Sequence, residues 1–177
     1  MQRKVILYIA ASLDGYIAKP DGDIDFLSVV EEPGEDYGYA DFLKNIDTVI
    51  WGRKTYEKVL SFGHPLPHSD KIIYVITRTA RADSEHVNFY TGSPCDLIAD
   101  LKNKEGKNIF IDGGAQIVNQ LLKLNLIDEI ILSVIPVLLG SGIALFQEEK
   151  SEIRLKLVKS KQFRKGLVQL HYAVEKD

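Results

Sequence analysis

The segment Ile111-Asp112-Gly113-Gly114-Ala115 runs from an apolar, strand-like stretch into paired glycines and then a helical pattern. Backbone amides at such a helix start lack partners and, together with the helix dipole, favour an anion. Glycine there lets a pyrophosphate approach the chain with no side chain in the way. The same pair serves equally in a tight strand-to-helix turn without any ligand. GxGxxG is absent, so the common dinucleotide fingerprint does not apply.

Trp51-Gly52-Arg53-Lys54-Thr55-Tyr56 repeats the arrangement: a strand end, a glycine, then a helix start. Two cations at a helix N-terminus oppose its dipole unless an anion sits between them, and the guanidinium fork suits phosphate. Read alone, they are equally a pair of solvated surface cations. Thr77-Arg78 brings the same chemistry to a third strand end. Three such ends fit a ligand lying along the carboxyl edge of an open sheet. Ser12-Leu13-Asp14-Gly15-Tyr16-Ile17 is either a loop lining a substrate pocket, with Asp14 a catalytic candidate, or a bulge with Asp14 on the surface.

Other chemistries lack support. His64 and His68 are four apart, but Pro65 and Pro67 make that stretch a loop, and no acidic or thiol partner has metal spacing. Cys95 is the single cysteine and has no nearby histidine motif. Neither GxSxG nor GxxxxGK[ST] occurs, so no metal site, hydrolase or P-loop is expected.

Positioning these segments requires an alternating α/β chain. Val5 to Ala11, Thr48 to Trp51, Lys71 to Thr77, His86 to Tyr90, Asn108 to Ile111 and Glu129 to Val137 read as strands. Helices are expected over Tyr39 to Asn45, over Arg53 to Leu60, and after Pro94 with Leu97, Ile98 and Leu101 on one face. A further helix buries Ile117, Val118, Leu121, Leu122 and Leu124. Glu31 to Gly38 reads as loop. In the last third Ile153, Leu155 and Leu157, then Val168, Leu170, Tyr172 and Val174, alternate with period two around Lys165-Gly166. That pattern predicts an antiparallel hairpin at the sheet edge. The sheet is therefore mixed, parallel early and antiparallel at the end, within one domain over residues 1–177.

Bulk properties agree with a soluble globular protein. The 177 residues are 45% apolar and 27% charged, with a formal net charge of -3. No global field invites nucleic acid or an anionic membrane. The lone cysteine favours a reducing compartment, and Val5 to Ala11 is too short to span a bilayer, so a cytoplasmic protein is expected.

In order, these segments resemble the dihydrofolate reductase-like superfamily, most closely reductases similar to the C-terminal domain of the bifunctional riboflavin-biosynthesis deaminase/reductase. The resemblance rests on Ser12 to Ala18, Val49 to Glu57, and Ile111 through Leu126-Ile127-Asp128-Glu129 to Pro136-Val137-Leu138-Leu139-Gly140-Ser141-Gly142. It implies a three-layer α/β fold with a mixed central sheet of about eight strands, and NADPH across the carboxyl edge. Gly113 and Gly114 would pass the pyrophosphate, near Asp112 and the Ala115 and Gln116 amides. Gly52, Arg53, Lys54, Thr55 and Thr77 would hold phosphate groups, with Arg53 and Arg78 candidates for the 2′-phosphate. Ala10, Ala11 and Ile17 would border the nicotinamide, and Leu139 to Gly142 would form a loop near the cofactor or a dimer face.

The activity implied is hydride transfer from NADPH to a pterin-like or ribosylaminopyrimidine substrate. A folate-type enzyme wants a buried carboxylate at the start of its first helix; counting back from Gly52 places Asp36 there, with Asp41 about a turn later. The folate enzymes' proline-bearing loop is missing between Gly22 and Asp41, and the family's glutamate before the paired glycines is Asp112 here. No deaminase motif accompanies the reductase segments. The alternatives are a reductase of an unrelated carbonyl or imine, and a non-catalytic binding protein. The family and the apolar run Ile130 to Leu139 suggest a homodimer; that run alone is equally an interior strand.

Overall fold

The computed structural model describes residues 2–147 and 152–176. Its strands are β1 (Val5–Ser12), β2 (Tyr16–Ala18), β3 (Ile46–Gly52), β4 (Ile72–Ile76), β5 (Val87–Tyr90), β6 (Asn108–Gly113), β7 (Glu129–Ile135), β8 (Ile143–Ala144), β9 (Leu155–Gln162) and β10 (Val168–Val174). The helices are α1 (Tyr39–Leu43), α2 (Arg53–Ser61), α3 (Pro94–Lys102) and α4 (Ala115–Lys123). Eight strands form one sheet in the order β5-β4-β3-β6-β1-β7-β10-β9, and β2 pairs with β8. From β5 to β7 every neighbouring pair is parallel; β7-β10 and β10-β9 are antiparallel.

Side-chain alternation along the strands sorts the core into two layers. Val5, Leu7, Ile50, Ile109 and Ile111 point to the side covered by α3 and α4, where Leu97, Ile98, Val118 and Leu121 meet them. Val49, Trp51, Ile73, Val75 and Phe110 point the other way, toward α1 and α2. α3 starts as proline at N1 predicts, with the Ser93 hydroxyl accepting from the Cys95 N–H. A 3-10 turn at Asp25–Val30 buries Phe26 and Val30 against Ile135 and Leu167.

Several expectations need correction. Leu124 is exposed, because α4 ends at Lys123 and the chain turns away. β9 is an edge strand and is exposed along its whole length, Leu157 and Val158 included, so its apolar alternation meets no core layer among the described residues. Most of the apolar run from Ile130 lies in β7, an interior strand between β1 and β10. β2 and β8 are too short, at three and two residues, to leave a periodic signal. No helix among the described residues is long and apolar enough to cross a membrane.

Candidate functional site

A cleft of about 1820 Å³ opens along the carboxyl ends of the parallel strands. Ala10 of β1, Gly52 of β3, Ile76 of β4 and Gly113 of β6 all line it. An open parallel sheet binds ligands at this edge because strand ends and helix starts converge there.

Two helices begin in the cleft without a side-chain cap. Gly52 is the N-cap of α2 and Gly114 that of α4; neither can offer a capping oxygen, and no other side chain caps either helix among the described residues. The first-turn N–H groups of both nine-residue helices are thus left for a ligand or water. Close packing explains the glycines. A Cβ at Gly52 would lie 2.9 Å from Ile117 Cγ1, and one at Gly114 would lie 2.8 Å from Thr55 Oγ1. Gly113 has φ +112, which only glycine adopts readily, and the Gly113–Gly114 peptide is cis.

The cleft's rim is cationic. Arg53, Lys54, Lys58, Arg78, Arg81 and Lys123 line it, against the carboxylates of Asp21 and Asp112. Glu57 bridges two of the cations, accepting from Arg53 Nη1 at 2.7 Å and Arg81 Nη2 at 2.9 Å. Those hydrogen bonds, Arg53's first, hold its carboxyl below the usual carboxylate range. Thr77 follows β4 in a tight turn, its hydroxyl accepting from the Thr79 N–H at 3.2 Å.

One wall of the cleft is aromatic. Tyr8, Tyr39 and Phe110 line it beside Asp112. Behind them Trp51 donates Nε1–H to Asp112 Oδ2 at 2.8 Å, and His68 Nε2 lies 3.2 Å from Tyr39 Oη and 3.5 Å from Asp112 Oδ2. Burial, then the charge of Asp112, pushes the Tyr39 phenol well above its ordinary value.

Of the residues expected from sequence, Ala10, Ile17, Gly52, Arg53, Lys54, Thr55, Thr77, Arg78, Asp112, Gly113, Gly114, Ala115 and Gln116 lie on the cleft. Ala11 does not: it is 2% exposed and packs in the α3–α4 core layer, because alternation turns it away from Ala10. Asp14 is also elsewhere. Its carboxylate accepts from Ser12 Oγ at 2.6 Å and from the N–H groups of Leu139 and Gly140, so it pins the 139–142 loop to the β1–β2 turn. Asp36 accepts from the N–H groups of Gly38 and Ala40, both at 2.9 Å, and holds the start of α1. Neither acid lines the cleft. The sequence singles out none of Lys58, Arg81, Tyr8 and Tyr39 as site residues, and it brings up His68 only as a metal candidate. Arg81 and Lys58 each stand a few residues beyond a recognised strand end, while His68 meets Asp112 only through the fold.

Residues 3–169 match the family described as the RibD C-terminal domain, and the chain belongs to it. Its fold is the dihydrofolate reductase-like arrangement expected above. YwjB of Bacillus subtilis (strain 168) is 50% identical over 173 residues, covering 97% of this chain and 98% of its own. YyaP of the same organism is 34% identical over 185 residues, covering 97% and 95%. A solved structure from Shewanella sp. PV-4, named as a candidate riboflavin biosynthesis protein, matches with TM-score 0.89 at 36% identity over 99% of this chain and 100% of that one. The diaminohydroxyphosphoribosylaminopyrimidine deaminase/5-amino-6-(5-phosphoribosylamino)uracil reductase of Thermotoga maritima matches with TM-score 0.71 over 98% of this chain and 57% of that one. At 17% identity that likeness speaks to fold alone.

Proposed function

We propose that this chain is an NADPH-dependent reductase of a ribosylaminopyrimidine of the riboflavin-precursor type. The carrying observation is the pair of uncapped, glycine-started helices facing one cleft with a cationic rim. These groups fit NADPH. First-turn amides of α2 and α4 would hold the pyrophosphate, Arg53, Arg78 and Arg81 the 2′-phosphate, and Ala10 with Ile17 would border the nicotinamide. When bound, NADPH supplies a hydride for the carbon of a C=O or C=N bond.

The aromatic wall around Asp112 favours a planar heterocycle with N–H groups. Trp51 and His68 both approach Oδ2, whereas Oδ1 has no protein partner among the described residues. A pterin is less favoured than a pyrimidine, because α1 contributes no carboxylate to the cleft: Asp36 caps the helix and Asp41 pairs with Lys44 outside it. The partner this reading requires is a small molecule, and neither nucleic acid nor membrane has a role in it.

The test is a titration with NADPH and with NADH, followed by the fluorescence of Trp51, the single tryptophan. NADPH oxidation is then measured with 5-amino-6-(5-phosphoribosylamino)uracil and with dihydrofolate in parallel. NADPH preference and turnover of the pyrimidine are expected. Binding without oxidation of either substrate would favour a non-catalytic binding protein, and no nucleotide binding would reduce the paired glycines to turn residues.

A further inference from the structure

Reduction of a C=O or C=N bond needs a proton on the heteroatom as well as a hydride on the carbon. The hydride brings the electron pair; the proton comes from the protein or from water. Tyr39 and Asp112 are the titratable groups of the aromatic wall that stand beside a buried histidine.

His68 is unusual on three counts. It sits at φ +61, in the left-handed region that only a few per cent of non-glycine residues adopt. Its side chain is 7% exposed, enclosed by the rings of Trp51, Tyr39 and Phe110. A single nitrogen, Nε2, addresses both the Tyr39 hydroxyl and the Asp112 carboxylate. A conformation of this kind persists where its surroundings over-determine it, and such residues gather at functional sites.

We propose that Asp112, His68 and Tyr39 form a proton relay for the reductase activity, with Tyr39 giving the proton to the substrate heteroatom. The proposal rests on the reading of this cleft as a reductase site. The Tyr39 O–H bond breaks as the new O–H or N–H bond forms on the reduced substrate. His68 Nε2 then returns a proton to the Tyr39 oxygen and is left neutral, and solvent recharges it. Asp112 stabilises the imidazolium before transfer through its negative charge, 3.5 Å from the same nitrogen. His68 acts through Tyr39 and does not line the cleft. The titratable groups facing His68 are Tyr39 from α1, Asp112 from β6 and Asp70 from its own loop, and Tyr8 of β1 faces Tyr39. A phenol held above its ordinary value stays protonated until the substrate anion forms, which suits this order of events.

The indole of Trp51 donates to the same Asp112 oxygen, so its emission reads the relay without substrate. Wild-type emission should change with pH in a single one-proton step. His68→Gln should abolish that transition, and Tyr39→Phe should keep it. With NADPH and 5-amino-6-(5-phosphoribosylamino)uracil, Tyr39→Phe should lower turnover about 100-fold while leaving NADPH affinity unchanged. His68→Gln should remove the alkaline fall of the turnover–pH profile. A flat wild-type emission, a transition that survives His68→Gln, or full turnover in Tyr39→Phe overturns the relay. If the wild type oxidises no NADPH with this pyrimidine, the substrate reading fails, and the Trp51 titration still decides whether His68 exchanges protons beside Asp112.

Discussion

Trp51 donates its indole N–H to Asp112 at 2.8 Å, linking a fully buried residue of β3 to a cleft residue of β6. The bond ties the cleft wall into the buried core. Asp112→Ala leaves a buried N–H without its partner, which costs about 1–3 kcal/mol. Asp112→Asn keeps an acceptor oxygen and should lose less. Urea unfolding of both variants, extrapolated to water, measures the difference; equal stabilities would mean that the bond contributes nothing net.

Glu57 holds Arg53 and Arg81 through separate oxygens, so a phosphate arriving at the rim competes with a carboxylate already in place. Arg53→Ala should weaken NADPH more than NADH, by about 10-fold or more, the worth of a charge-assisted hydrogen bond. Glu57→Gln should tighten NADPH by freeing both guanidinium groups. Titrations of each variant with both nucleotides check this, and equal losses for NADPH and NADH in Arg53→Ala would remove the 2′-phosphate from its role.

Gly52 and Gly114 are packing residues as well as helix caps. Gly52→Ala places a methyl group 2.9 Å from the Cγ1 of Ile117, whose side chain is almost fully buried. Overpacking of this kind costs about 1–3 kcal/mol. Gly114→Ala presses on the Thr55 hydroxyl instead, so Thr55→Ala added to it should recover part of the loss. Thermal unfolding of the single and double variants reads both effects.

Acid should loosen the end of the sheet remote from the cleft. Burial alone would raise the Asp128 carboxyl, but Lys102, Lys176 and the Val5 N–H all donate to it and hold it below the usual range. A folded value below the unfolded one gives stability that is present above the unfolded value, near pH 4, and lost as pH falls through the folded value. Asp128→Asn should cost about 1–2 kcal/mol at neutral pH and flatten the acid limb of the stability–pH curve. Denaturant midpoints across pH 2 to 7 test this, and parallel curves for wild type and variant would exclude Asp128 as the source.

Much of this protein is local in origin. Apolar runs of the right length became β1, β3, β4, β6 and β7, and the 3.6-residue spacing of Ile117, Val118, Leu121 and Leu122 became the buried face of α4. Period two in the last third became the β9–β10 hairpin. Glycines at strand ends marked the cleft because helix starts and strand ends lie next to each other in sequence, so the chemistry of those turns is written in adjacent residues.

The aromatic wall is different. Tyr39, His68 and Asp112 are far apart in the chain and meet only because β3 and β6 pair in parallel while α1 and the 62–71 loop cross the same face. Asp14 and Asp36 looked like chemistry in sequence, yet nearby backbone N–H groups claim both carboxylates. A polar residue's role depends on which partners reach it first. Local patterns determine which elements form and where strand ends carry glycine and cations; only the tertiary structure decides which side chains converge, because long-range strand order sets the distances between residues that sequence separates.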